Sequence, residues 1–479
     1  MSLVMTTLPL TERPAMSTEP ATGVGEFRPS AAFPLPRLRP VADFVALPTT
    51  KRYITIQGKF GLALIGAGLW LVIATIASIA TVPTVATAVT WPLAVVLLLG
   101  VVAVPGFFLT FSLLGIALDH PPAPSVAHPT IPVTVVITAR NQPRSVVNTL
   151  AYLRAQDYDG AMSVLLVDNG STDATIDEAR RAAAQLALDL RIVVERRPGV
   201  VHARNTGFSC ADTPLAVLVD AGAMLHPSAV RLLVARMLRS PSDTAAVAAH
   251  AMVRNERHGH RQELEAHGYS LAVQGSQRLH GLFQAPLVAE GSCSLYRTDA
   301  VRAVHGWARD DLDGVMLTWR FLEQGWRVFH EPLAVAFTTE RITLGSWAAR
   351  RVRAARWIRD GAREKSLASL RFRYNRFVAV LDAGGPMLDV TFTLGLALAL
   401  LLAAFGTPAL LGLYALLVLP VSVATTVVVR RASRSVMDDL GLTPPGGPRS
   451  WMGAALSLHP VQAPLAAWKL VLAVTGRTI

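Results

Sequence analysis

Val164-Leu165-Leu166-Val167-Asp168-Asn169-Gly170-Ser171-Thr172-Asp173 is the stretch that decides the fold of this 479-residue chain. The run Ser163–Val167 is apolar enough to be a strand buried on both faces. It ends on an aspartate and turns through a glycine, which lets backbone approach a ligand closely. Asp173 can then cap a helix over 174–188. A strand, a polar turn and a capped helix together make one unit of a parallel α/β sheet.

Similar units lie on both sides. Val133–Thr138 reads as a strand and 145–156 as a helix. Ile192–Glu195, Ala216–Val219 and Ala245–Ala249 read as further short strands. In open parallel sheets ligands bind beyond the carboxyl ends of the strands. Those ends carry Arg140-Asn141-Gln142, then Asp168 to Asp173, then Ala203-Arg204-Asn205-Thr206-Gly207, then Asp220-Ala221-Gly222. Each alone is an ordinary turn. Together they place polar and acidic groups at one edge, where Asp168 can accept hydrogen bonds from a base or ribose.

Outside this domain the chain turns apolar. Phe60–Leu118 and Val390–Val429 contain no Asp, Glu, Lys or Arg over 59 and 40 residues. A membrane span needs roughly 20 apolar residues. Each block therefore holds two spans, near 60–81 and 91–116, and near 388–405 and 409–429. Pro105 predicts a kink or a shortened helix in the second. Lys51, Arg52 and Lys59 precede the first span, Arg371, Arg373 and Arg376 the third, and Arg430, Arg431 and Arg434 follow the fourth. Basic residues collect on the cytoplasmic side. The expected topology is a multi-pass plasma-membrane protein with the α/β domain and both termini cytoplasmic.

The expected division is a disordered cytoplasmic tail at 1–50, two spans within 51–118 and a cytoplasmic domain at 119–361. An amphipathic interfacial segment follows at 362–387, two spans lie within 388–431, and 432–479 is a linker with a C-terminal interfacial helix. Phe372, Tyr374 and Phe377 alternate with arginines, as in an element lying on a bilayer. The start of the chain lacks the basic and apolar pattern of a cleaved signal peptide.

Composition narrows the function classes. There are 45 Lys and Arg against 33 Asp and Glu, a net +12. Such an excess first suggests nucleic acid or an anionic membrane face. From Arg341 to Phe377, however, eleven basic residues face two acidic ones, so +9 of it lies in one segment beside a span. No RNA-binding signature is present, and the bilayer is the expected partner rather than nucleic acid. Cys210 and Cys293 make neither a disulfide framework nor a zinc site. His258-Gly259-His260 reads as a solvated loop with no third ligand nearby.

Residues 131–361 resemble the catalytic domain of membrane-integrated family 2 glycosyltransferases, the group that includes cellulose and hyaluronan synthases. The resemblance implies a glycosyltransferase A-type, Rossmann-like α/β fold inserted between two N-terminal and two C-terminal membrane helices, with interfacial helices beside them. It implies inverting transfer from a nucleotide-sugar, a UDP-sugar, to a glycan or lipid-linked acceptor. It assigns Asp168 and Asp173 to the nucleotide, Arg204 to the nucleotide-sugar and the 291–297 stretch to the acceptor pocket. Gly306-Trp307 and the 317–327 run match the segment that carries the catalytic base. Arg353-Ala354-Ala355-Arg356-Trp357 falls on the QxxRW motif, with Arg353 and Arg356 facing the diphosphate and Trp357 the acceptor sugar.

Two acidic positions of that pattern are glycines here. The metal motif DxD reads Asp220-Ala221-Gly222, leaving Asp220 as the one carboxylate for Mg²⁺ or Mn²⁺ or for the ribose. The acidic pair seven and six residues before Arg320 reads Asp313-Gly314. Asp313 is then the expected base, with Asp311 and Asp310 next. Two readings follow. In one the chain is an active transferase, with Arg204, Arg353 and Arg356 sharing the diphosphate charge. In the other it is an inactive membrane scaffold that binds a nucleotide, a lipid or a partner protein.

Overall fold

The computed structural model describes residues 54–119, 128–253, 273–286, 293–308, 313–338, 344–440, 464 and 467–472. The tail expected at 1–50, the histidines at 258 and 260, Asp310 and Asp311 lie outside these residues.

Four long apolar helical stretches are present: α1 (Ile56–Ala86), Trp91–Ala117, α12 (Arg373–Ala404) and Ala409–Asp439. The second consists of α2 (Trp91–Leu98), a π-turn at Leu99–Ala103 and α3 (Val104–Ala117). The fourth repeats the arrangement with α13 (Ala409–Leu413), a π-turn at Tyr414–Val418 and α14 (Leu419–Asp439). Each π-turn ends just before a proline, Pro105 or Pro420, whose ring nitrogen cannot donate to the helix ladder. Widening the preceding turn absorbs that loss, and this is the form the expected kink takes. A Cβ on Gly106 would lie 2.2 Å from the Trp70 indole, so only glycine lets α3 approach α1 there.

Between the helix pairs lies an eight-stranded mixed sheet in the order β3-β2-β1-β4-β7-β6-β8-β5. Its strands are β1 (Val133–Ala139), β2 (Met162–Asp168), β3 (Leu190–Val194), β4 (Leu215–Asp220), β5 (Met224–Leu225), β6 (Thr244–Val253), β7 (Cys293–Arg297) and β8 (Arg327–Thr338). The first four in the spatial order are parallel, as their apolar runs require. β7 is antiparallel to both β4 and β6. The sheet is therefore mixed rather than purely parallel.

Helices cover both faces. Along β1, Val133, Val135 and Ile137 face one core with α4 (Pro143–Arg154), α5 (Thr175–Leu186) and α7 (Ala229–Arg239). Val136 faces the other core with α6 (Val200–Ser209), α9 (Thr298–Ala303) and α10 (Asp313–Glu323). The described part of α8, 273–282, and α11 (Leu344–Lys365) complete the set.

The second core continues into the spans. Phe60 of α1, Phe111 of α3, Phe283 after α8, and Tyr374 and Phe377 of α12 pack ring against ring at 4.7–6.5 Å. The expected bilayer-surface element is thus the first turns of a 32-residue helix, with Tyr374 only 4% exposed. Its aromatic side chains dock the α/β domain onto the spans. Several rings packed together hide more apolar surface than one helix face resting in headgroups.

Candidate active site

The strand register places the expected edge residues. Ala139 at the end of β1 pairs with Asp168 of β2, and Thr138 pairs with Asp220 of β4. Asp168 and Asp220 therefore flank the end of β1, about 10 Å apart across two strand spacings. Asp168 is 1% exposed. One of its oxygens accepts the Ser171 backbone N–H at 3.1 Å, and Oδ1 is buried with no hydrogen-bond partner. A buried carboxylate oxygen left unpaired is costly, and a ligand donor would relieve the cost.

The surrounding loops are tied by asparagines. Asn141 sits at φ 54°, and its side-chain oxygen accepts the Thr172 N–H at 2.8 Å. Asn169 donates to the carbonyls of Glu195 and Arg197 and accepts from the Gly199 N–H at 2.9 Å. Asn205 accepts the Trp307 N–H at 2.9 Å and donates to its carbonyl at 2.8 Å. An amide suits this work because it donates and accepts at once. Arg320 fastens the same turn through the carbonyls of Val304 and Gly306. Sequence reasoning selected Asp168 and Arg204, the charged neighbours of Asn169 and Asn205, and passed over the amides. The available signal was an asparagine just beyond β1, another just beyond β2 and a third beside Arg204 on α6.

Glu195 is the acidic hub of the wall. It takes a bidentate pair from Arg197, at 3.0 and 2.9 Å, and accepts from the Thr206 hydroxyl. These bonds, Arg197 foremost, hold its carboxyl down at about 2, against the penalty of burial. An ordinary glutamate titrates near about 4.3. A group depressed on folding contributes stability above its unfolded value and loses it as pH falls toward the folded one. Acid unfolding should therefore steepen below about pH 4.3, down to about pH 2. Glu195→Gln should flatten that limb when unfolding is followed by circular dichroism. An unchanged acid limb would remove Glu195 from this role.

Asp173 accepts from the Thr175 N–H at 3.1 Å and from its hydroxyl, so its carboxylate starts α5. Arg204, on α6, is buried and donates to Asp220 at 3.3 Å. Asp220 is 43% exposed. Cys293, at the same edge, has its thiol pushed up by burial and then by Asp220.

Arg353, Arg356 and Trp357 share one face of α11 at helical spacing. Arg353 is exposed, and Trp357 is half-buried against a cluster that includes Trp319, Leu322 and Ile358. The packing of α11 is against α10 and α12. Asp313 is the first residue of α10. The structure thus gathers Asp168, Arg204 and Asp220 at one edge, and Arg353, Arg356 and Trp357 on one helix.

The metal expectation finds a poor fit. Gly222 stands at φ +99°, a conformation that favours glycine over aspartate, and offers no carboxylate. Asp220 already receives Arg204. Among the described residues no three His, Cys, Asp or Glu converge as a metal site. Mg²⁺ and Mn²⁺ prefer several oxygen ligands.

Residues 134–304 match the sequence profile described as Glycosyl transferase family 2. The poly-β-1,6-N-acetyl-D-glucosamine synthase of Staphylococcus aureus is 24% identical over 232 residues, covering 48% of this chain and 54% of that protein. An N-acetylglucosaminyltransferase of Mesorhizobium japonicum is 27% identical over 295 residues, covering 57% and 67%. The chain spans about half the length of the first of these relatives. Among solved structures, a mannosyltransferase from Pyrobaculum calidifontis in complex with GDP-Man and Mn²⁺ aligns at TM-score 0.47 and 20% identity. That alignment covers 70% of this chain and 98% of the mannosyltransferase.

Proposed function

We propose that this chain, which carries a glycosyl transferase family 2 domain over residues 134–304, is a membrane-bound inverting glycosyltransferase. It moves a sugar from a nucleotide-sugar, a UDP-sugar, to a glycan or lipid-linked acceptor. The observation that carries this reading is the buried Asp168 carboxylate at the carboxyl edge of the parallel strands, with one oxygen unpartnered. Such an acceptor suits the N–H of a base or the hydroxyl of a ribose.

The acceptor hydroxyl attacks the anomeric carbon from the face opposite the diphosphate. The bond from carbon to diphosphate oxygen breaks, and the nucleoside diphosphate leaves. Asp313 takes the hydroxyl proton. Arg353 and Arg356 face the leaving diphosphate, whose charge planar guanidinium groups offset well. Arg204 acts through Asp220, which it orients toward the ribose. Trp357 stacks on the acceptor sugar. Repeated transfer to one chain is the polymer-forming version, in keeping with the name of the staphylococcal relative. The domain and both termini lie on the cytoplasmic side of a plasma membrane, as the flanking arginines favour.

A second reading has a specific observation behind it. Gly222 and Gly314 stand where the resemblance places carboxylates, and Gly222 has a backbone unsuited to aspartate. On that reading the chain binds a nucleotide, lipid or partner protein without transfer. Turnover separates the two. The purified full chain, given a broad panel of nucleotide-sugars with and without Mg²⁺ or Mn²⁺, should release nucleotide from at least one. Release from none would leave the scaffold reading in place.

A further inference from the structure

A cavity of about 280 Å³ opens where the first turn of α1 meets the α/β domain. Lys59, Arg236, Arg239, Arg278 and Arg327 line it, with Asp119 as the one lining carboxylate among the described residues. Arg278 pairs with Asp119 at 3.6 Å, and Arg327 pairs with Asp243 at 3.0 Å. Among the described residues no acidic side chain lies within ion-pair distance of Lys59, Arg236 or Arg239.

Counting the nearby Glu331 as fully charged still leaves, among the described residues, five cations against three carboxylates. His330 adds no charge, because burial and then His250 hold its imidazole neutral.

The cations sit in unfavourable surroundings. Lys59 is 8% exposed and Arg278 6%. Burial pulls the Arg278 guanidinium below its ordinary value, with Asp119 and Glu331 acting the other way. Arg236 lies over the Phe329 ring at 5.1 Å, and its Nε and Nη1 are buried without a hydrogen-bond partner. The carboxyl end of α7 attracts Arg236 and Arg239 through its dipole, an effect of only about 0.3–1 kcal/mol at an exposed terminus. That is small against two buried, unpaired guanidinium nitrogens.

The cavity is also remote from the candidate active site. Val328, just inside β8, pairs with Ala246, which pairs through Tyr296 with Ala216 near the start of β4. Asp220 lies four residues further along β4, about 13 Å at 3.3 Å per residue. The cavity is therefore at the opposite edge of the sheet.

We propose that this cavity is an anion site that takes a phosphate group, supplied by the headgroup of an anionic membrane lipid. Guanidinium and ammonium donors suit phosphate oxygens. The membrane level of the site favours a lipid. Ile56 and Lys59 belong to the first turn of an apolar span, and Asp119 follows the end of another by two residues. Occupation would tie α1, α7, α8 and β8 together and so fix the domain on the spans. This assignment does not depend on the transferase reading.

The test uses the purified full chain in neutral detergent. Its thermal unfolding is followed while phosphatidylglycerol, phosphatidylcholine or inorganic phosphate is titrated. Phosphatidylglycerol should raise the midpoint more than phosphatidylcholine. Arg236→Gln and Arg239→Gln should each weaken that effect about fivefold in apparent affinity, the equivalent of about 1 kcal/mol per basic residue. Arg239 is exposed, so its variant keeps the test usable if loss of Arg236 unfolds the protein. Arg180→Gln, on an exposed face of α5, should match the parent. An effect from inorganic phosphate at equal concentration, lost in the same variants, would keep the anion site and assign it to a soluble ligand. Equal shifts from the two lipids with none from phosphate would overturn the proposal. So would lipid responses in the Arg236 and Arg239 variants indistinguishable from that of Arg180→Gln.

Discussion

Asp168→Ala is expected to weaken UDP binding by about one to two orders of magnitude, read by isothermal titration. A hydrogen bond to a charged group contributes about 1.5–3 kcal/mol, which sets that range. Asp168 is suited to make such a bond because β2 delivers its carboxylate to the strand edge, buried, with Oδ1 unpartnered. Its other oxygen accepts the Ser171 N–H, so alanine also loosens the turn. Asp168→Asn separates the two effects, since an amide oxygen can still accept from Ser171 while the charge is gone. Loss of affinity in both variants assigns the charge to the nucleotide. Parental affinity in both would end the assignment of Asp168.

Asp313→Asn is expected to lower kcat by about two to four orders of magnitude, the usual span for general acid–base catalysis, with UDP affinity unchanged. Asparagine keeps the size of the side chain and cannot take the acceptor proton. Asp313 is the first residue of α10. Unchanged UDP affinity reports that the variant stays folded. The measurement pairs nucleotide release on the substrate found in the panel with titration of UDP. Retained turnover would exclude Asp313 as the base and direct the search to Asp311 and Asp310.

Much of the fold was legible because apolar periodicity is a local property. The strand expected at Ser163–Val167 is Met162–Asp168, and the one expected at Val133–Thr138 is Val133–Ala139. The four membrane-length helices stand where charge-free runs predict them. β7 was not legible as a strand. Cys293–Arg297 alternates small, polar and aromatic residues, and its antiparallel place between β4 and β6 arises from pairing distant in sequence. The packing of the segment before the third span against the α/β domain was not legible for a related reason. Its aromatic residues look amphipathic when only neighbours along the chain are counted. Tyr374 is buried and Phe377 half-buried because Phe60, Phe111 and Phe283 come from elsewhere to meet them.

The candidate site divides in the same way. Its charged members could be chosen from the ends of strands, but what holds them could not. Arg204 reads as a cation waiting for phosphate, whereas the fold gives it to Asp220. Asn169 and Asn205 read as loop residues, yet they clamp the walls of the edge.

The sequence by itself determined the alternation of strands and helices, the four apolar spans and the acidic ends of β2 and β4. These follow from side-chain hydrophobicity and turn chemistry over a few residues. Tertiary structure alone decided which charges meet. The large positive segment at 341–377 dominates the net charge, but the five cations of the cavity beside α1 come from α1, α7, α8 and β8. No local pattern marks them as a group, because electrostatic interaction depends on distance in space and on burial, and the chain folds residues far apart in sequence into one desolvated volume.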